Sequence, residues 1–213
     1  MKKFITTAPR QAVVPEMTGR PETECYRAVD NPLLQYDVPA CFPLLPLINA
    51  YVVLGDCFEV FILTAQYENC YRNFDYLKAE IETISRQIGA SCIVTMIEIP
   101  FDETITTHLD TFRKLIEQAE PRDIFYADIT YGTKPTPMIE IMALNYAYRV
   151  CDNVSVECVV YGEKDFQSGK KRIFDVTSLF FMDQIVNELA KSRNKDPLKA
   201  IKGLLQINNS MEE

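Results

Sequence analysis

The feature that most constrains this chain is an alternation of two periods. Short apolar, mostly β-branched runs at Phe58–Thr64, Cys92–Ile99, Ile124–Ile129 and Val154–Tyr161 are separated by stretches whose apolar residues return every three or four positions. Phe74, Leu77, Ile81, Ile84 and Ile88 follow that helical spacing, with Asn73 as the N-cap and Gly89 just past the end. Ile105, Leu109, Phe112, Ile116 and Ala119 repeat it behind Thr104. Strands this continuously apolar have no wet face, so they call for a parallel sheet with helices on both sides. The expected fold is α/β, Rossmann-like and doubly wound. Lys3–Ala8 supplies a first strand, Pro43–Leu54 a first helix, and Met138–Val150 a helix begun by Pro137. A turn at Asp165–Gly169 leads into Lys171–Val176, expected to run antiparallel at an edge of the sheet; helices near 179–189 and 198–205 close the chain.

The chain before Pro43 is built differently. Seven of the twelve prolines fall at or before Pro46, and Gly19-Arg20-Pro21 and Asn31-Pro32 are turn signals. Residues 9–39 therefore read as an irregular excursion inside a Rossmann-like domain covering 1–190, with 191–213 as a helical tail.

Charge and composition exclude several classes. With 22 basic and 30 acidic residues the net charge is −8, a field that repels long nucleic acid, so an anionic ligand has to be held in a local pocket. Seven scattered cysteines without a Cys-x-x-Cys pair support neither a disulfide framework nor a zinc knuckle. No apolar run approaches the roughly 20 residues of a membrane span, and Pro9 interrupts the N-terminus before a signal-peptide core forms. A cytoplasmic protein without membrane contact is expected. The chain has seven glycines and neither G-x-G-x-x-G nor G-x-x-x-x-G-K-[ST], which disfavours dinucleotide-dependent oxidoreductases and P-loop NTPases. The single histidine, His108, leaves no His-based triad. Glu98, Asp102 and Glu103 read better as partners of a helix N-terminus than as metal ligands, and no cofactor is expected.

In an open α/β sheet ligands sit beyond the carboxyl ends of the strands. The most polar such turn is Asp128-Ile129-Thr130-Tyr131-Gly132-Thr133-Lys134-Pro135-Thr136, which sets hydroxyls, a glycine and a lysine before a helix N-terminus. Backbone N–H groups, a helix dipole and a cation are the ingredients of a phosphate site. The turns Thr6-Thr7-Ala8-Pro9-Arg10-Gln11 and Thr64-Ala65-Gln66-Tyr67 are the two further candidates.

Asp128-Ile129-Thr130-Tyr131-Gly132 resembles the Asp-x-Thr-His-Gly motif of CRISPR-associated Rossmann-fold (CARF) proteins, with Tyr131 in place of the histidine. Gly132-Thr133-Lys134-Pro135 resembles the Gly-Thr-Lys-Pro segment of another branch of that family. Val159-Val160-Tyr161-Gly162 and Ile173-Phe174-Asp175-Val176-Thr177-Ser178-Leu179 resemble the ending of such domains. The resemblance implies a homodimer that binds cyclic oligoadenylate, the second messenger of type III CRISPR defence, tetra-adenylate being the ring whose two-fold symmetry suits a dimer. It implies ligand contacts from Thr130, Gly132, Thr133 and Thr136, from Thr7, Arg10 and Gln11, and from Thr64 and Gln66. Lys134 and Tyr131 become catalytic candidates for a metal-independent ring nuclease, in which a ribose 2′-OH attacks the adjacent phosphate. With only residues 191–213 beyond the domain, a stand-alone sensor is expected. A non-catalytic sponge or signal-responsive subunit, and an unrelated α/β small-molecule enzyme, are the alternatives.

Overall fold

In the computed structural model, residues 1–13, 24–165, 167–192 and 196–209 are described, the last six as backbone alone. The chain divides into two units, Met1–Val176 and Thr177–Glu213. The strands of the first unit are β1 (Lys2–Thr7), β2 (Glu24–Ala28), β3 (Tyr36–Ala40), β4 (Cys57–Ala65), β5 (Ser91–Ile99), β6 (Ile124–Asp128), β7 (Ser155–Lys164) and β8 (Lys171–Asp175). Its α-helices are α1 (Leu44–Tyr51), α2 (Glu68–Ile88), α3 (Ile105–Ile116) and α4 (Pro135–Val150). All eight strands form one sheet in the order β3-β2-β8-β7-β6-β1-β4-β5.

Five strands make the parallel heart of this sheet. β1 is central, β4 and β5 extend it one way, and β6 and β7 the other. The direction of winding reverses between β1 and β6, which makes their carboxyl ends the topological switch point. α1 packs beside α2, and α3 beside α4, giving the two helical layers of a doubly wound, Rossmann-like fold. On one face Phe4 stacks on Tyr126 at 4.7 Å and meets the edge of Phe58 at 5.4 Å. Tyr51 of α1 covers Tyr126 at 4.9 Å. At the amino ends of the strands, Lys3 is buried with Asp123 at 2.8 Å. Burial alone would lower the Lys3 ammonium, but the hydrogen bond to Asp123 and the charges of Asp123, Glu120 and Glu59 raise it on balance.

Four sequence expectations are corrected. Residues 9–39 are not wholly irregular: β2 and β3 pair antiparallel, and β2 adds parallel to β8 with Tyr26 beside Lys171. Proline and polar residues hide these strands, yet Tyr26 and Tyr36 are buried, and Pro39 sits in the outermost strand, where a missing N–H is tolerated. Residues 14–23 of that stretch lie outside the described residues. For the same reason β8, antiparallel to β7 as expected, is interior rather than at the edge. Asn73 is not an N-cap; α2 begins five residues earlier, at Glu68. Finally, α3 buries Thr107, Thr111 and Leu115, and its stripe beginning Ile105, Leu109 points away from the core.

The second unit consists of α5 (Thr177–Lys191) and α6 (Pro197–Asn209), which touch each other. Among the described residues no helix is long and apolar enough to cross a membrane.

Candidate functional site

The switch point carries two buried carboxyl groups, one on each side of the sheet. Asp128 closes β6. Its Oδ2 accepts from Thr6 Oγ1 at 3.0 Å, and its Oδ1 accepts from the Thr130 backbone N–H at 3.1 Å and from the Thr130 hydroxyl. Complete burial pushes its pKa up to about 6, against the hydrogen bonds from Thr130 and Thr6 that would lower it. Glu140 on α4 is also fully buried: Thr7 Oγ1 donates to its Oε1 at 2.7 Å, and its Oε2 has no protein partner. Desolvation drives its pKa well above the usual carboxylate range, with a further push from the Asp128 charge. Nothing in the helical pattern of α4 distinguishes Glu140 from an exposed acid, so sequence reasoning missed it.

Thr130 relays this arrangement outward. Its hydroxyl oxygen accepts the Gly162 N–H at 2.7 Å, which ties the loop after β6 to β7. Gly162 has to be a glycine: a Cβ there would lie 2.3 Å from Pro43 Cγ. Gly132, at φ +103, turns the loop toward α4 through a conformation that side-chain-bearing residues rarely adopt. The Asp128–Gly132 turn is thus fixed from below by Asp128, from the side by Gly162 and at its exit by Gly132.

Above it opens a cleft of about 1020 Å³. Three segments build it: Pro9–Val13 after β1, Thr130–Gly132 after β6, and the β7–β8 hairpin from Tyr161 to Arg172, with Tyr26 and Cys41 at its base. The post-β1 segment is held by α2. Asn73 Nδ2 donates to the carbonyls of Pro9 and Gln11, both at 2.7 Å, and Asn73 Oδ1 accepts from the Val13 N–H at 3.2 Å.

Four cations line this cleft in an acidic chain: Arg10, Lys164, Lys171 and Arg172. Glu163 and Asp165 stand among them, and Arg172 Nε donates to Glu163 Oε2 at 2.8 Å. Arg10 pairs with Glu103 at 2.7 Å and lies 4.5 Å from the centre of the Phe101 ring. Lys171 is buried, donates to the Ala40 carbonyl at 2.8 Å and sits 5.2 Å above the Tyr26 ring, while Tyr26 donates to the Cys41 carbonyl at 3.2 Å. Desolvation lowers the Lys171 ammonium. It raises the Cys41 thiol to about 12 and the Tyr26 and Tyr131 phenols above their ordinary value, so all three stay protonated at neutral pH. The signal that would have located the hairpin is Lys170-Lys171-Arg172, the one run of three basic residues in the sequence.

Of the residues singled out in the sequence, Arg10, Gln11, Thr130, Tyr131 and Gly132 meet in the cleft. Thr7 does not: its hydroxyl is committed to Glu140. Thr64 is fully buried, its hydroxyl bonded to the Ile62 carbonyl at 3.2 Å, and it reaches no ligand space. Gln66 is exposed and donates to Glu98 at 2.9 Å, outside the cleft. Thr133 donates to Glu103 at 2.9 Å, and Thr136 is buried beneath the start of α4, accepting from the Thr133 N–H at 3.2 Å. Lys134 is exposed at the N-cap of α4, two residues beyond the cleft wall. The acids considered for metal are engaged elsewhere: Glu98 accepts from Gln66 and Tyr71, Asp102 from Thr104, and Glu103 from Arg10 and Thr133. Among the described residues no group of three His, Cys, Asp or Glu is placed to hold a metal ion.

No protein-family model matches the chain, and no curated protein matches it in sequence. The fold and site together define an α/β protein of the doubly wound class with a polar switch-point cleft.

Proposed function

We propose that this protein binds cyclic oligoadenylate, each copy contributing the Asp128–Lys134 turn and its cleft to one half of the ring. The observation that carries the reading is a concentration of positive charge at one edge of an acidic molecule. Arg10, Lys164, Lys171 and Arg172 line the cleft, and beside it Lys134 stands on the N-terminus of α4. A cation is unfavourable at the positive end of a helix dipole, and a phosphate at that place relieves the lysine; the first turn itself adds no N–H donor, since Pro135 and Pro137 have none and the Thr136 N–H donates to the Thr133 carbonyl at 2.9 Å. Tyr131 and Tyr161, both on the cleft wall, offer aromatic surface to bases. The resemblance of the turn to CARF motifs supplies the ring as the ligand class.

Cleavage would use a nucleophile of the ligand itself. The ribose 2′-hydroxyl gives up its proton to water as its oxygen bonds to phosphorus, the P–O5′ bond breaks, the 5′-oxygen takes a proton back from water, and a 2′,3′-cyclic phosphate and a 5′-hydroxyl result with no net change in protons. Lys134 is the residue we place against the developing phosphorane charge. Tyr131 acts by packing, because a phenol held protonated by burial is a poor base.

The test is titration calorimetry of the purified protein with cyclic tri-, tetra- and hexa-adenylate, with AMP and linear oligoadenylate as controls. Mass spectrometry of the recovered nucleotide accompanies each titration. One tetra-adenylate ring per two chains is expected. Absence of binding by all three rings overturns the reading. Binding with an intact ring after long incubation leaves the sponge or signalling subunit.

A further inference from the structure

The Arg10 side chain is held from outside the cleft that it lines. Its guanidinium carbon lies 4.5 Å from the centre of the Phe101 ring, and its Nη2 donates to Glu103 Oε1 at 2.7 Å. Both partners belong to the loop between β5 and α3, and neither lines the cleft. That loop is pinned in turn. Phe101 stacks on Tyr67 at 4.8 Å, Asp102 Oδ1 accepts from the Thr104 N–H at 2.9 Å, and Thr104 Oγ1 caps α3 by accepting from the Thr107 N–H at 3.3 Å. The backbone of Arg10 is fixed separately by α2: Asn69 Nδ2 donates to its carbonyl at 3.3 Å, and Asn73 grips the residues on either side. A long side chain loses rotamer freedom whenever it binds an anion. For Arg10 much of that loss precedes the ligand.

Glu103 also reaches a second loop. Its Oε2 accepts from Thr133 Oγ1 at 2.9 Å, in the turn that leads into α4, and His108 Nε2 of α3 stands 3.7 Å from the same oxygen. One carboxylate thus braces the segment after β1 against the turn after β6. Stability gives little reason for the arrangement: Arg10 and Glu103 are 33% and 43% exposed, and an ion pair so open to water contributes little to folding. Nor does Glu103 block Arg10. A guanidinium presents five N–H donors in a planar fork, and the hydrogen bond between the pair engages Nη2, with Nη1 and Nε outside it.

We propose that Glu103 is a positioning residue for the anion in the cleft: holding Arg10 on one oxygen and the α4 turn on the other, it presets the guanidinium to meet a phosphate of the ligand. The phosphate as ligand rests on the nucleotide reading. In this role the shape of Glu103 matters and its charge does not. A glutamine in its place accepts from Arg10 through the carbonyl oxygen and donates to Thr133 Oγ1 through the amide, while it removes a negative charge from beside a polyanion. An alanine keeps neither bond and leaves the guanidinium free to swing away from Phe101.

Titration calorimetry tests this with two probes, cyclic tetra-adenylate and inorganic pyrophosphate, the second carrying phosphate without a ring. The proteins are the wild type, Glu103→Ala, Glu103→Gln, Arg10→Ala, and the double variant of Glu103→Ala with Arg10→Ala; circular dichroism confirms that each is folded. Glu103→Ala should weaken binding by about tenfold, the scale of one lost charge-assisted contact, and Glu103→Gln should bind within about threefold of the wild type or more tightly. In the Arg10→Ala background the loss of Glu103 should change affinity by less than about twofold, because nothing is left to position. A full Glu103→Ala loss in that background overturns the proposal, since the effect would not run through Arg10. Unchanged binding by Glu103→Ala overturns it as well, and tighter binding overturns it by making Glu103 a competitor of the anion. A wild type that takes pyrophosphate with the expected pattern among the variants, yet binds no ring, supports the positioning role and overturns the nucleotide reading. A wild type that binds neither probe overturns both.

Discussion

Thr7 Oγ1 lies 2.7 Å from Glu140 Oε1, a hydrogen bond that joins the end of the central strand to α4 while leaving Glu140 Oε2 without a protein partner. An acceptor oxygen buried without a donor is tolerable only when the carboxyl group carries a proton. An acid whose pKa is raised on folding binds its proton more tightly in the native state, so the native state loses stability as pH rises past the unfolded value. Glu140→Gln keeps the acceptor for Thr7 and cannot ionise. Urea unfolding at a series of pH values should show the variant gaining on the wild type steadily above the ordinary glutamate range. A constant difference across that range would refute the buried-acid assignment.

Asp128 gives the same sign over a narrower window. Its pKa rises from 3.8 to about 6 on folding, so between these values the native state holds a proton that the unfolded state has released. The wild type should lose about 3 kcal/mol from this group as pH climbs through the window, at about 1.4 kcal/mol per unit. Asp128→Asn removes the loss: the amide oxygen keeps the Thr130 bonds, and the Thr6 hydroxyl turns to accept. Subtracting the two stability curves isolates the contribution from other carboxylates, such as Asp123, whose pKa is lowered and whose slope is opposite.

Asn73 holds three polar groups of the post-β1 segment at once. Replacing it with Ala leaves two carbonyls and one N–H to find water, at a cost of about 1–3 kcal/mol. The larger effect should be local. Hydrogen exchange at Val13 should quicken, and ring affinity should fall more than global stability does, because Arg10 and Gln11 lose their anchor. Unchanged exchange at Val13 would show that the segment is held by something other than Asn73.

The heart of the fold was legible because it rests on periodicity: β4 to β7 and the bodies of the helices between them fall where the apolar spacing puts them, while α2 and α4 begin earlier than expected, at Glu68 and Pro135. β2 and β3 were not, since β2 is held by β8, which follows much later in the chain with Lys171 beside Tyr26, β3 pairs only with β2, and Tyr26 carries no local mark of that partnership. Spacing identified α3 as amphipathic but not which stripe the sheet would take, because that choice depends on what covers the other side. In the site, the Asp128–Gly132 turn was visible as a motif. The cleft's other wall was not, because Lys164, Lys171 and Arg172 come together only through the β7–β8 hairpin.

Lys134 and Tyr131 separate charge from packing. Lys134→Ala should weaken tetra-adenylate binding by about 1.5–3 kcal/mol, the range of a hydrogen bond to a charged group, and Lys134→Arg should recover most of it. The lysine is exposed, so the fold has no stake in it and any loss belongs to the ligand. Tyr131→Phe removes a phenol that burial keeps protonated while preserving the ring against Phe42. Its ring affinity, and the rate of cleavage if the wild type cuts, should stay within about threefold of wild type, a difference below 0.7 kcal/mol. Calorimetry and mass spectrometry on the same samples decide the matter. A Tyr131→Phe protein that binds but no longer cuts would give the hydroxyl a place in the reaction, and an unaffected Lys134→Ala protein would move the phosphate from the head of α4 into the cleft, among Lys164, Lys171 and Arg172.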